Sequence, residues 1–157
     1  MDQKIVIHKN QNGDSRSAPK GTNFNQFLEA RVTHRNDVKA VMQVLSEIVK
    51  QKGEIHDWTS IEYAEEFFKD FSEVLNDGSV FENGKWWNRH INLERHHLLS
   101  KCPDDVNLLD VIEMVVDCVC AGKTRSGEVR DLEISTDILE KALKNTVKLV
   151  DDMTVAR

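Results

Sequence analysis

The run DDVNLLDVIEMVVDCVCAG, Asp104 to Gly122, constrains the fold more than any other stretch. Its apolar residues cover nearly every side of a helix, which places it at the centre of a helical fold. Yet Asp110, Glu113 and Asp117 recur along it at intervals of three, four and seven residues. Each helical residue turns by about 100°, so the three carboxylates share one stripe. A buried acidic stripe is costly unless it meets cations or hydrogen-bond donors. Capping accounts for Asp104 and Asp105 at the start of the run. It does not account for Asp117, whose charge near a helix C-terminus opposes the macrodipole. The rest of the chain has to bring cations or imidazoles to that stripe.

Helical periodicity dominates from Asn25 onward. Val38, Val41, Met42, Leu45, Ile48 and Val49 recur at three- and four-residue spacing, with Asn36 or Asp37 as the expected cap and Gly53 as the expected stop. Thr59-Ser60-Ile61-Glu62 reads as a capping box for a second helix ending at Asn76–Gly78. WWNRHINLERHHLLSK, Trp86 to Lys101, reads as a third helix stopped near Pro103. The run from Asp104 to Gly122 is a fourth, and a last amphipathic helix starts at Ser135 or Thr136. The expected architecture is all-α, a single-domain bundle of five or six helices over residues 24–157, preceded by an irregular arm over residues 1–23. In that arm KIVIH is a short strand or an extended segment packing on a neighbour, which points to a homo-oligomer. Asn10 to Asn23, polar with two glycines and a proline, reads as a loop.

The third helix supplies the partners the acidic stripe needs. On a continuous helix His90, Glu94 and His97 share a face, while His96 points elsewhere. His56-Asp57 falls at a junction between helices, and His34 stands near the start of the preceding one. Imidazole nitrogens mixed with carboxylate oxygens suit a divalent transition metal, manganese, iron, cobalt or zinc, better than magnesium. Such an ion activates water and orients a phosphate. Arg89 and Arg95 flank the histidines. Lys123 and Arg125 lie in the loop Ala121 to Arg130, where GKT lacks the upstream glycine of a P-loop. These four cations are the expected substrate-phosphate contacts. Trp86 and Trp87 read as packing anchors, and His8 as uninvolved.

The order His34 … His56-Asp57 … Asp117 resembles the H…HD…D signature of the HD-domain metal-dependent phosphohydrolases. More narrowly, HD before a helix, then RHINLERHH, then EMVVDC is similar to small bacterial and phage HD-type proteins of unassigned function. The resemblance covers roughly His34 to Asp117. It implies a helical bundle with His34, His56, Asp57 and Asp117 as metal ligands, and a phosphohydrolase acting on a nucleotide or related ester through a metal-activated water. Asp57, His90 and His97 would be the catalytic groups. Trp58-Thr59-Ser60 departs from the pattern, because related proteins tend to have a lysine close behind the HD pair. The alternative is a helical binding protein without turnover, a phage-type factor engaging a host protein or a phosphate ligand.

Composition narrows the partners. A net charge of −6 argues against an extended nucleic-acid surface. No apolar run approaches the roughly 18 residues of a membrane span, and the first ten residues lack the apolar segment of a signal peptide. Three cysteines, Cys102, Cys118 and Cys120, form no disulfide framework or zinc knuckle. Cys118 and Cys120 are expected as small buried thiols in a reducing, cytoplasmic compartment.

Overall fold

The computed structural model describes residues 4–129 and 131–157. The chain is all-α apart from two three-residue strands. The elements are β1 (Ile5–Ile7), α1 (Phe24–Ile55), α2 (Trp58–Glu62), α3 (Ala64–Asp77), α4 (Lys85–Leu93), α5 (Leu108–Ser126), α6 (Thr136–Met153) and β2 (Thr154–Ala156). Short 3-10 turns lie at Gln11–Gly13 and Phe81–Asn83. No helix among the described residues is long and apolar enough to cross a membrane. The chain divides into two compact units, one of Met1–Ile48 with Val147–Arg157, the other of Val49–Thr146. Residues 1–3 of the expected N-terminal arm and Arg130 of the expected loop lie outside the described residues.

In the first unit, KIVIH is a strand that pairs with the chain's own end. β1 runs parallel to β2 with Ile5 opposite Thr154 and Ile7 opposite Ala156. Three residues of β2 are too few to show a period of two, so the sequence does not announce it. α1 is one helix of 32 residues, not one that begins at Asn36. Its start is a reciprocal cap. The Asn23 side chain accepts from Gln26 N at 3.1 Å, and Gln26 Oε1 accepts from Asn23 N at 3.0 Å. Asp37, expected as a cap, is buried inside the helix and accepts from His8 N at 2.8 Å. Gly53 is likewise internal.

The second unit is built on α5. Leu98, Val106, Met114 and Ala142 form its apolar core, with Leu108, Val111, Ile134 and Ile138 packed around them. α5 starts two or three residues later than expected. Its cap is Asn107, whose side chain accepts from Leu109 N and Asp110 N, while the Asp110 carboxylate accepts from Asn107 N. Asp104 and Asp105 stand outside the helix and pair with Lys141 and Arg95. The helix also runs past Gly122 and stops at Gly127, whose left-handed conformation (φ 78°) makes the C-terminal turn. Cys120, expected as a buried thiol, is exposed.

Two local arrangements position the functional helices. Trp86 stacks on Phe67 with centroids 3.8 Å apart, and its backbone N–H donates to the buried Asp70 carboxylate at 2.7 Å. Asp70 thus caps α4 from α3. A Cβ on Gly84 would lie 2.2 Å from Asp70 Oδ2, so only glycine fits beside that carboxylate. Gly84→Ala is therefore expected to cost about 1–3 kcal/mol of stability, by displacing the Asp70 cap. A denaturant titration with unchanged midpoint would contradict this.

Candidate functional site: a buried histidine and carboxylate cluster

The HD pair sits at a sharp turn. Asp57 has φ 54°, the one positive φ outside glycine among the described residues. Aspartate tolerates this conformation better than most side chains, but holding it costs of the order of 1–3 kcal/mol. The turn ends the α1 segment and starts α2, and it directs Asp57 Oδ1 inward. There it meets His96 Nε2 at 3.3 Å, His90 Nε2 at 3.6 Å and His56 Nε2 at 3.7 Å. This oxygen is buried and makes no hydrogen bond.

The histidines do not come from one helix face. α4 ends at Leu93, and the chain then makes two tight turns, with Leu98 N donating to His96 O and Ser100 N to His97 O. Adjacent residues on a helix point about 100° apart, so a continuous helix excludes His96 from the face shared by His90 and His97. Two turns remove that restriction. His96, expected to point elsewhere, is instead 1% exposed and central. His97 Nε2 faces His90 Nε2 at 2.5 Å, closer than an ordinary N–H···O bond. Glu94, expected on the same helix face, is the residue that ends α4, and its carboxylate accepts from Thr59 N at 3.0 Å.

Thr59 holds this side together. It is fully buried. Its hydroxyl lies 2.6 Å from His90 Nδ1, and its carbonyl accepts from Trp86 Nε1 at 3.2 Å. In the tautomer with the proton on His90 Nδ1, the ring donates to the hydroxyl and Nε2 presents its lone pair to the cluster. Were His90 to hold a metal, Thr59→Val would weaken its binding about 10- to 100-fold, as loss of a ligand's hydrogen-bond partner usually does. Thr59→Ser should restore it. A competition titration with a coloured chelator reads both, and equal affinity in Thr59→Val and the parent would contradict the role.

The acidic stripe of α5 faces the cluster. Glu113 Oε1 lies 3.2 Å from His56 Nδ1 and 3.4 Å from His96 Nδ1, and Asp117 Oδ1 lies 3.6 Å from His56 Nε2. Lys52, from the last turn of α1, places its Nζ 2.8 Å from both Asp110 and Glu113. Sequence reasoning missed Lys52. A lysine does reach the cluster, from before the HD pair instead of after it. Its signal was its position four residues ahead of His56, one helical turn away.

The electrostatics follow from this crowding. Burial alone would lower the His96 pKa, but the Asp57 and Glu113 carboxylates on its two sides outweigh it and raise the group to about 9. Burial, with His96 and His90 alongside, pushes His97 down to about 3. Burial also lowers His90, against the pull of Asp57. Burial would raise Glu113, yet His96, Lys52 and His56 bring it down to about 2. The His96 imidazole holds the Asp57 carboxyl below its usual range despite burial. Five carboxylates, Asp57, Glu94, Asp110, Glu113 and Asp117, thus gather against two permanent cations, Lys52 and Arg95. Asp57 and Asp117 are partly exposed, so the surplus of negative charge is partly buried; a protonated His96 balances part of it, and a metal would balance more.

The cluster fits a divalent metal. Asp57, His90, His96 and His97 each offer one donor atom, all within 4.8 Å of one another, and His56, His96 and Glu113 form a second such group. Donors about 2.1 Å from a common ion lie roughly 3.0–3.4 Å apart at octahedral or tetrahedral angles. The contacts from Asp57 Oδ1, at 3.3–3.7 Å, lie at or just beyond that spacing, and none of them is a hydrogen bond. Both ring nitrogens of His96 are also buried without a hydrogen-bond partner. Buried polar atoms are rarely left so, and an ion among them would satisfy Asp57 Oδ1 and one His96 nitrogen, while the other His96 nitrogen faces the Glu113 carboxylate.

The other expected site residues lie elsewhere. His34 belongs to the first unit, where it lines a shallow groove with Arg31, Val32 and Arg35, and it is in neither donor group. Arg89 donates to Glu66 and lies over the Tyr63 ring, 4.2 Å from its centroid. Arg95 forks onto Asp110 at 2.8 and 3.1 Å and reaches Asp105. It neutralises the stripe instead of presenting a free guanidinium. Lys123 and Arg125 are exposed on the last turn of α5, with Lys123 Nζ donating to Gly127 O.

The pattern of a family of unknown function (DUF5662) matches residues 23–155. No curated protein and no solved structure matches the chain.

Proposed function

The chain belongs to DUF5662, a family of unknown function that spans nearly all of it, and from its side chains we propose a metal-dependent phosphoric ester hydrolase of the HD type. Asp57, His90, His96 and His97 would hold a divalent transition metal, with His56, Glu113 and Asp117 beside it. The observation that carries this reading is Asp57 Oδ1, buried, without a hydrogen bond, and faced by three imidazole nitrogens at 3.3–3.7 Å. When bound, such a metal supplies Lewis-acid polarisation of a phosphoryl oxygen and acidifies water.

The chain's own groups supply the rest. Thr59 and Glu94 fix the histidine side. Lys52 and Arg95 hold the α5 carboxylates in place. His56, partly exposed and between Glu113 and Asp117, is placed to move a proton between water and a leaving oxygen. The stripe that looked too costly to bury is the wall of the site.

The test is phosphate release from a panel of nucleotides and small phosphomonoesters with added manganese, iron, cobalt or zinc. The reading expects metal-dependent release from at least one ester. Tight ligand binding with no release would support a binding protein instead, and neither binding nor release would remove the phosphate assignment.

A further inference from the structure

Beside the cluster, between the end of α1 and α5, lies a recess of about 280 Å³. One wall is chemical: Lys52, His56, Glu113 and Asp117. The other is apolar: Val49, Gly53, Leu109, Ile112, Val116 and Cys120. Both walls belong to the second unit. Ile112 and Val116 are exposed there, 45% and 55%, on a chain whose charged residues make up 31%. Ligand sites combine such an apolar lining with a few convergent polar groups. The recess contains one permanent cation, Lys52, and two carboxylates already hold its ammonium at 2.8 Å each. It therefore offers no seat for a second phosphate.

Resting on the hydrolase reading above, the geometry points to a substrate class: a phosphomonoester whose alcohol half is apolar, aryl or alkyl, and enters this recess. The phosphoryl group faces the cluster and the apolar half faces Val49, Ile112 and Val116. Hydrolysis joins the water oxygen to phosphorus and breaks the ester P–O bond. The proton lost by water ends on the departing alkoxide, giving a neutral alcohol and inorganic phosphate. Nucleoside triphosphates, whose extra phosphates would meet Asp117 and Glu113, are disfavoured by the same wall.

Gly53 provides a clean variant. It lies inside α1 at the recess, and a Cβ built on it meets nothing within 4 Å. Gly53→Leu fills the recess and replaces a poor helix former by a good one. The experiment compares phenylphosphonate with methylphosphonate by calorimetry on the manganese-loaded full chain, alongside manganese affinity and sedimentation. Phenylphosphonate should bind at least about tenfold tighter, since its ring leaves water. Gly53→Leu should abolish that advantage while leaving methylphosphonate and manganese binding unchanged. Equal affinities in the parent, or an advantage that survives Gly53→Leu, would overturn the recess assignment and leave the hydrolase reading standing. A parent dimer dissociated by Gly53→Leu would make the recess a subunit interface and overturn the assignment too. Failure to bind any of manganese, iron, cobalt and zinc would remove the hydrolase reading, and this proposal with it.

Discussion

Asp57→Asn is expected to weaken transition-metal binding by at least about 100-fold, which corresponds to roughly 2.8 kcal/mol. Phosphate release should fall with it. Asparagine keeps the shape of aspartate and tolerates the same left-handed backbone, so the turn between α1 and α2 should survive. What is lost is the charge at the point where the rings of His56, His90 and His96 converge. A neutral amide oxygen is a weaker ligand, and its NH₂ would bring hydrogens toward nitrogens that have to offer lone pairs to an ion. Metal affinity by chelator competition, with circular dichroism to verify the helices, checks this. An unchanged affinity in a folded Asp57→Asn protein would show that Asp57 does not bind the ion.

Asp110→Asn should have the largest effect on stability, about 3–5 kcal/mol, the range for breaking a buried ion pair from one side. Asp110 is fully buried and joins Lys52, Arg95 and the capping box of α5. Its removal leaves two cations facing an amide. The pH dependence has a definite sign. Burial would raise the Asp110 pKa, but hydrogen bonds from Arg95 and Lys52 hold it below the ordinary carboxylate value. A depressed pKa contributes stability that is present above the unfolded value, about 3.9, and is lost as pH falls through the folded one. The parent should therefore lose stability steeply below about pH 4, and Asp110→Asn should show a shallower acid limb. Parallel curves for the two proteins would rule out this contribution.

The parts of the site that could be read from the sequence are those carried by regular helix. The spacing of Asp110, Glu113 and Asp117 survives in α5 because that helix is unbroken across them. His56-Asp57 was legible as a junction. What sequence reading lost depends on helix ends. A periodic pattern shows which face is apolar but not where the hydrogen-bond ladder stops. Ending α4 at Leu93 instead of near Pro103 moves His96 from outside the site to its centre. Starting α1 at Phe24, through the Asn23–Gln26 cap, places His34 inside a helix of the first unit instead of near a helix start. The spacing of Lys52 to His56 shows only a shared helix face, and Thr59 reads only as part of a capping box, because their contacts in the site cross 58 and 31 residues.

The most direct measurement is elemental analysis of the chain purified without a polyhistidine tag and dialysed, compared with Asp57→Asn prepared in parallel. The account predicts near-stoichiometric manganese, iron, cobalt or zinc in the parent and little in the variant. A parent that carries no transition metal, and takes none up when it is supplied, would contradict it.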